Sequence, residues 1–306
     1  LEKKEGTKMS EVILSMKDVT KIYNETKALD KVSIEINRGD IYGIIGNNGA
    51  GKTTIMRIIS GQSFVSSGTM ELFGSKDDDV RKQRKRLGCL IENPGFCYSM
   101  TAYENLEYFR IQFGIPGKEN INKVLEEVGL RDCGKKKYKD FSLGMKQRLG
   151  IALAILNSPE LLILDEPTNG LDPEGIIEIR NILINLNKKK NTTILISSHI
   201  LSELSNIATK YGFLKNGKII EEISMEDLQR KCESYIDITV DKVEAMCIVL
   251  EKELNYKNYK VYANNHIHLY QGIDDIKKIC ETAVLNNIGI LEVVRKVKNL
   301  ENYYMN

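Results

Sequence analysis

Three stretches of the chain are apolar almost without interruption: Ile41-Tyr42-Gly43-Ile44-Ile45, Leu161-Leu162-Ile163-Leu164 and Thr193-Ile194-Leu195-Ile196. Strands buried on both faces carry this pattern, and parallel sheets covered by helices are their usual host. Ser33-Ile34-Glu35-Ile36 alternates instead, which predicts a strand with one face toward solvent. Phe213-Leu214 and Ile219-Ile220 flank Asn216-Gly217, the signal of a tight hairpin. Longer helical stretches separate these runs, so residues 11 to about 222 read as an α/β domain with some antiparallel strands.

After Lys231 the texture changes. Strand Tyr235–Val240, helix Val243–Leu254, strands Lys260–Tyr262 and Ile267–Tyr270, a helix from about Asp274 to Leu285 and a strand near Ile288–Val294 follow. The order β-α-β-β-α-β predicts a small ferredoxin-like sandwich, with Asn264-Asn265 as the turn between its middle strands. All five prolines lie between Pro94 and Pro173, and only Gly272 and Gly289 follow Gly217 among the glycines, which supports two domains of different construction.

Composition narrows the class. With 306 residues, 42% hydrophobic and 28% charged, the chain has the make-up of a soluble globular protein. No apolar run reaches the ~18–20 residues of a membrane span, and no secretory leader opens the sequence. Residues 1–10 are expected to be a tag or disordered N-terminus, with Met9 as the native start. A net charge of +2 gives no ground for wholesale nucleic-acid binding. The six cysteines are scattered with no C-x-x-C pair, and read as free thiols of a reducing cytoplasm. The run Arg81-Lys82-Gln83-Arg84-Lys85-Arg86 reads as a solvated helix end or linker rather than a phosphate patch. His266 and His268 share one side of a strand; without a third ligand they read as a solvent-facing surface rather than a metal pair.

Chemistry enters at Gly46-Asn47-Asn48-Gly49-Ala50-Gly51-Lys52-Thr53, which fits G-x-x-x-x-G-K-[ST] between a strand and a helix. Glycines let backbone N–H groups turn onto a phosphate, and Lys52 supplies a point charge to the β- and γ-phosphates. Thr53 offers a hydroxyl to Mg²⁺, while Thr54 continues the helix whose positive end faces the anion. Asp165-Glu166 ends a buried strand, so both acids stand at the carboxyl edge of the sheet. Asp165 suits the Mg²⁺ shell through water, and Glu166 suits deprotonation of an attacking water.

With these motifs stand others that carry a family resemblance. Phe141-Ser142-Leu143-Gly144-Met145-Lys146-Gln147-Arg148 resembles the signature segment of ATP-binding cassette (ABC) proteins. Asp165 through Pro173 resembles that family's Walker B and D-loop, Ile196-Ser197-Ser198-His199 its switch-histidine strand, and Tyr23 the aromatic that stacks on adenine. The resemblance implies a P-loop NTPase cassette at 11–228, a mixed sheet with a helical subdomain at about 93–158, followed by an accessory α+β domain at 233–306. It implies ATP and Mg²⁺ as ligands and Glu166, His199 and Lys52 as catalytic groups. It implies a dimer, identical or paralogous, in which Ser142, Leu143, Gly144 and Met145 meet the partner's ATP and Asp172 organises the facing subunit.

Two departures narrow the resemblance. Leu143 and Met145 replace the family's usual glycine and glutamine in the signature, and Phe141 its leucine. Glu92 stands where most members carry glutamine, and Glu92…Pro94-Gly95-Phe96…Thr101-Ala102-Tyr103-Glu104-Asn105-Leu106 resembles the bacitracin-resistance and lantibiotic-immunity transporters. A carboxylate there is expected to touch Mg²⁺ directly or through water. The implied function is the peripheral ATPase subunit, at the cytoplasmic face of the membrane, of an exporter that protects against peptide antibiotics through a separate permease. The alternative is a non-transport ABC ATPase with a nucleic-acid or ribosome partner. It fits less well, because the interval from Lys52 to Asp165 holds no heptad run and the chain carries one cassette.

Overall fold

The computed structural model describes residues 11–92, 94–231 and 234–296, in two units, Leu1–Met225 and Glu226–Asn306. The tag or disordered start expected at 1–10 lies outside the described residues, as does Cys232. The first unit opens with β1 (Val12–Tyr23), β2 (Thr26–Asn37), β3 (Ile41–Ile45), α1 (Lys52–Ser60), β4 (Ser67–Leu72), α2 (Val80–Gln83) and β5 (Leu87–Leu90). Three helices follow, α3 (Ala102–Gln112), α4 (Glu119–Glu127) and α5 (Leu143–Ile155). The chain then returns through β6 (Leu161–Leu164), α6 (Pro173–Lys190), β7 (Thr193–Ser198), α7 (Leu201–Leu204), β8 (Lys210–Lys215) and β9 (Lys218–Ser224). Helix α8 (Met225–Lys231) leads on to β10 (Tyr235–Val240), α9 (Val243–Lys252), β11 (Tyr259–Tyr262), β12 (His266–Leu269), α10 (Ile276–Leu285) and β13 (Ile290–Lys296).

The main sheet has the order β5-β6-β7-β3-β8-β9, parallel except for the edge strand β9. Every residue of β3, β6 and β7 is buried, as their apolar runs require of strands covered on both faces. Because these three are parallel neighbours, the loops that leave their C-terminal ends emerge along one edge. A second, antiparallel sheet of order β2-β1-β4 packs its buried face into the same core, and Val32, Ile34 and Ile36 of β2 alternate with exposed neighbours. The Asn216-Gly217 turn between β8 and β9 has both residues at positive φ (49° and 76°), the geometry of a tight hairpin.

The segment after β5 is built around polar clamps and rings. Thr101 caps α3 in a capping box with Glu104, whose carboxyl is held below its usual range by the Thr101 N–H and hydroxyl. Asn105 is buried, accepts from the Cys97 N–H and donates to the Cys97 and Thr101 carbonyls. Phe96 packs edge-on to Phe109 and 5.1 Å from Tyr138, which in turn meets Phe141. An aromatic row thus joins the Pro94-Gly95-Phe96 loop to the residue before Ser142, and a ring at 141 rather than a branched aliphatic continues it.

The basic run 81–86 is not a solvated helix end throughout. Arg84 donates to the Ile59 and Ile58 carbonyls at the C-terminus of α1, where a cation complements the helix dipole. Arg86 makes a bidentate pair with Glu160, which also accepts from Arg38. Those contacts hold the Glu160 carboxyl down to about 2, Arg86 first and Arg38 second.

In the second unit the strand order is β11-β12-β10-β13, all antiparallel. Ile236, Ile238, Val240, Ile267 and Leu269 form a core with Met246, Val249 and Leu250 of α9 and Ile279 and Ala283 of α10. On the other side of β12, His266 and His268 form a surface that is only partly solvated, 36% and 21% exposed, because polar and aromatic neighbours cover the rest. His266 Nδ1 lies 2.9 Å from Asp237 Oδ1, and the His268 ring is sandwiched between Tyr235 and Tyr262, 4.2 Å from each. Among the described residues there is no group of ligands that could hold a metal ion and no helix long and apolar enough to cross a membrane. Cys89, Cys97, Cys133, Cys247 and Cys280 are free thiols.

Candidate active site

The loop between β3 and α1 wraps a space that side chains are kept out of. A Cβ on Gly46 would sit 2.4 Å from the Leu214 carbonyl oxygen, so the loop's first turn admits glycine only. Gly51 has φ 114° and caps α1 without a side-chain hydrogen bond, which leaves the first N–H groups of the helix free of a cap. Those donors and the helix dipole suit an anion. Asn47, Asn48 and Gly49 form the exposed rim, and Ala50 is buried beneath them.

Lys52 is only 5% exposed, yet its charge is fully partnered. Nζ donates to the Gly46 carbonyl at 2.6 Å and the Asn47 carbonyl at 3.2 Å, and pairs with Glu166 Oε1 at 2.9 Å. A buried ammonium needs such partners, since desolvating it unpaired costs several kcal/mol. The second Glu166 oxygen lies 3.0 Å from His199 Nδ1. Glu166, just after β6, therefore sits between Lys52 at the start of α1 and His199 just after β7.

Asp165 is held by hydroxyls. Thr53 Oγ1 donates to its Oδ2 and Ser197 Oγ to its Oδ1, both at 2.6 Å. The Ser197 hydroxyl also accepts from the Glu166 N–H at 2.8 Å. Glu166 itself has φ 45°, a left-handed conformation that costs a non-glycine residue ~1–2 kcal/mol. Ser197 anchors that turn from the next strand. Thr53 and Asp165 are hard oxygen donors already in contact, and such donors suit Mg²⁺.

The remaining residues expected at the site stand apart. Glu92 is 66% exposed, has φ 64° and pairs with Arg57 of α1 rather than with Thr53 or Asp165. Tyr23 ends β1 with its hydroxyl 3.1 Å from Ser63 Oγ and Lys21 Nζ 4.7 Å from its ring centroid. Ser142 caps α5 by accepting from the Met145 N–H, and Asp172 caps α6 by accepting from the Gly175 N–H, ahead of Pro173. A cavity of about 490 Å³ opens between them, lined by Ser142, Leu143, Gly144, Gly170, Leu171 and Asp172, and no P-loop residue lines it. Leu143, 52% exposed, reaches the Gly170 backbone, where an added Cβ would lie 3.3 Å from it.

Ser197, Ser198 and Thr168, which lie within the motifs but were given no role, and Glu203, outside them, also build the site. Their signal was polar residues in positions that a buried strand and its flanks would otherwise fill with apolar ones.

A family described as ABC transporter matches residues 29–169. The chain is 40% identical over 294 residues to the bacitracin transport ATP-binding protein BcrA of Bacillus licheniformis, covering 96% of each. It is 44% identical over 210 residues to the lantibiotic transport ATP-binding protein SrtF of Streptococcus pyogenes, covering 69% of this chain and 90% of that one. A dimeric bacterial ABC transporter cassette of known structure matches with a TM-score of 0.63 at 26% identity, over 70% of this chain and 99% of that one.

Proposed function

The chain belongs to the ABC transporter family as an ATP-binding, ATP-hydrolysing subunit, and from that premise we propose that it powers export of, or resistance to, a bacitracin- or lantibiotic-type peptide antibiotic through a separate membrane permease. The observation that carries the catalytic half is the Glu166 carboxylate, within 3.0 Å of both Lys52 and His199. The substrate half rests on relatives named as transport ATP-binding proteins, one matched over 96% of the chain and one over 69%, which favour transport over a nucleic-acid or ribosome role.

In this reading the P-loop N–H groups and Lys52 bind the β- and γ-phosphates, and Tyr23 stacks on adenine. Thr53 and Asp165 hold Mg²⁺, which when bound neutralises charge on the phosphates. Ser197 keeps the Asp165 carboxylate turned toward Thr53. Arrival of a phosphate gives Lys52 a new partner, which frees Glu166 to accept the proton of the attacking water. His199 donates to the γ-phosphate and fixes Glu166 from the opposite side.

The signature and D-loop residues line a cavity of their own, so a second cassette, identical or paralogous, completes each ATP site. Ser142 to Met145, at the N-terminus of α5, meet the partner's γ-phosphate, and Asp172 meets the facing subunit. Glu92, held by Arg57 of α1 in the loop that leads to Phe96 and the α3 region, ties that loop to the helix behind the phosphate site and so couples it to the permease. The protein then works at the cytoplasmic face of the membrane.

Tagged chain purified from membranes of its native host is expected to bring down a polytopic permease. A host carrying Lys52→Ala is expected to become more sensitive to bacitracin or a lantibiotic. Co-purification with ribosomes or DNA, and unchanged sensitivity to both antibiotic classes, would overturn the transport assignment.

A further inference from the structure

Glu203 touches none of the groups proposed to meet ATP, yet it joins the two loops that carry them. Its Oε2 accepts from Thr168 Oγ1 at 2.7 Å and from Ser198 Oγ at 2.8 Å. Thr168 lies two residues beyond Glu166, and Ser198 immediately precedes His199. Both hydroxyl-bearing residues are buried, so neither has bulk water as an alternative partner. The Ser198 hydroxyl in turn accepts from the Ile200 N–H at 3.0 Å, closing the backbone around His199.

The platform under this carboxylate is firm. Helix α7 is a single turn, but Leu201 and Leu204 on either side of Glu203 are both buried. The Leu204 carbonyl accepts from the Tyr211 hydroxyl of β8, and a Cβ on Gly43 of β3 would lie 3.0 Å from the Leu204 side chain. Glu203 is thus anchored to the central sheet rather than to either loop that it grips.

We propose that Glu203 is a positioning residue for ATP hydrolysis: by accepting from Thr168 and Ser198 it sets the separation of Glu166 and His199, the 3.0 Å contact on which the catalytic arrangement depends. The inference rests on the assignment of Glu166 and His199 to hydrolysis. Charge-assisted bonds to one oxygen are short and directional, so the carboxylate holds both loops to a single point. Small displacements of a base from its water are costly in rate.

The test uses the full chain and follows ATP binding and ATPase rate together. Glu203→Ala is expected to lower kcat roughly 10–100-fold with KM for ATP within about threefold. Glu203→Gln keeps a carbonyl oxygen that can accept from both hydroxyls, and is expected to recover kcat to within about threefold of wild type. Thr168→Val and Ser198→Ala, each removing one donor, should fall between. Wild-type kcat in Glu203→Ala would overturn the proposal, as would equal losses in Glu203→Ala and Glu203→Gln. A loss of ATP binding that matches the loss of rate would also overturn it, by showing a general structural role. Absence of ATPase activity in the wild-type chain would instead sink the underlying assignment.

Discussion

Replacing Ser197 with alanine tests how much of the site depends on a hydroxyl rather than on the acids themselves. Ser197 is 0% exposed and its one oxygen makes two bonds, donating to Asp165 Oδ1 at 2.6 Å and accepting from the Glu166 N–H at 2.8 Å. A hydrogen bond to a charged group contributes about 1.5–3 kcal/mol, and an orphaned N–H costs ~1–3 kcal/mol where no water reaches it. Glu166 is partly exposed, so water can take over part of the second loss, and the expected net destabilisation is about 2–3 kcal/mol. The rate should suffer more than the stability. Glu166 loses the anchor of its left-handed turn, and a misplaced base costs up to ~100-fold. Urea unfolding followed by far-UV circular dichroism, together with ATPase assays over a Mg²⁺ series, reads both effects. A stability change under about 0.5 kcal/mol with kcat within twofold of wild type would refute the reasoning.

Other consequences concern regions outside the chemistry. Glu160 is lowered from its ordinary 4.5 to about 2 by Arg86 and Arg38, which corresponds to ~3.4 kcal/mol before screening. Its side chain is 39% exposed, so solvent leaves about 1 kcal/mol. A depressed carboxyl contributes stability that is complete above pH 4.5 and lost as pH falls through 2. Glu160→Gln should therefore be less stable than wild type at pH 7, with the gap closing between pH 4.5 and 2 in a urea titration; a gap independent of pH would count against the ion cluster. Asn105→Leu leaves the Cys97 N–H and two carbonyls without their side-chain partner, and should cost about 2–4 kcal/mol. Hydrogen exchange at the Cys97 amide should accelerate accordingly, and unchanged exchange would contradict the clamp. Glu92→Gln should leave ATP affinity intact but alter the Mg²⁺ dependence of the ATPase or the resistance phenotype. If both stay the same, Glu92 has no part at the metal or in coupling.

Much of the first unit could be read because its information is local. Ile41–Ile45 and Leu161–Leu164 announce buried strands by their own composition, and Asn216-Gly217 announces its hairpin. The phosphate loop is likewise contiguous, with Gly46 to Thr53 in one run. What stayed hidden depends on strand order. Ser197 meets Asp165 because β7 lies beside β6, a neighbourhood that no local pattern records. Glu203 grips Thr168, 35 residues away, for the same reason. Arg84 and Arg86 looked solvated because the carbonyls of α1 and the carboxylate of Glu160 that engage them are distant in sequence. Glu92 shows the opposite limit: its residue type pointed to a metal, while the fold gives its carboxylate to Arg57.

The central claim is that Glu166 accepts the proton of the attacking water in an ATP site shared by two cassettes. Its most direct test is Glu166→Gln, assayed for ATPase rate and, by light scattering with and without Mg-ATP, for mass. The account predicts a rate lowered by ~10²–10⁴-fold and a dimer that forms only when Mg-ATP is added. A variant that hydrolyses ATP at the wild-type rate, or that stays monomeric with Mg-ATP, would contradict it.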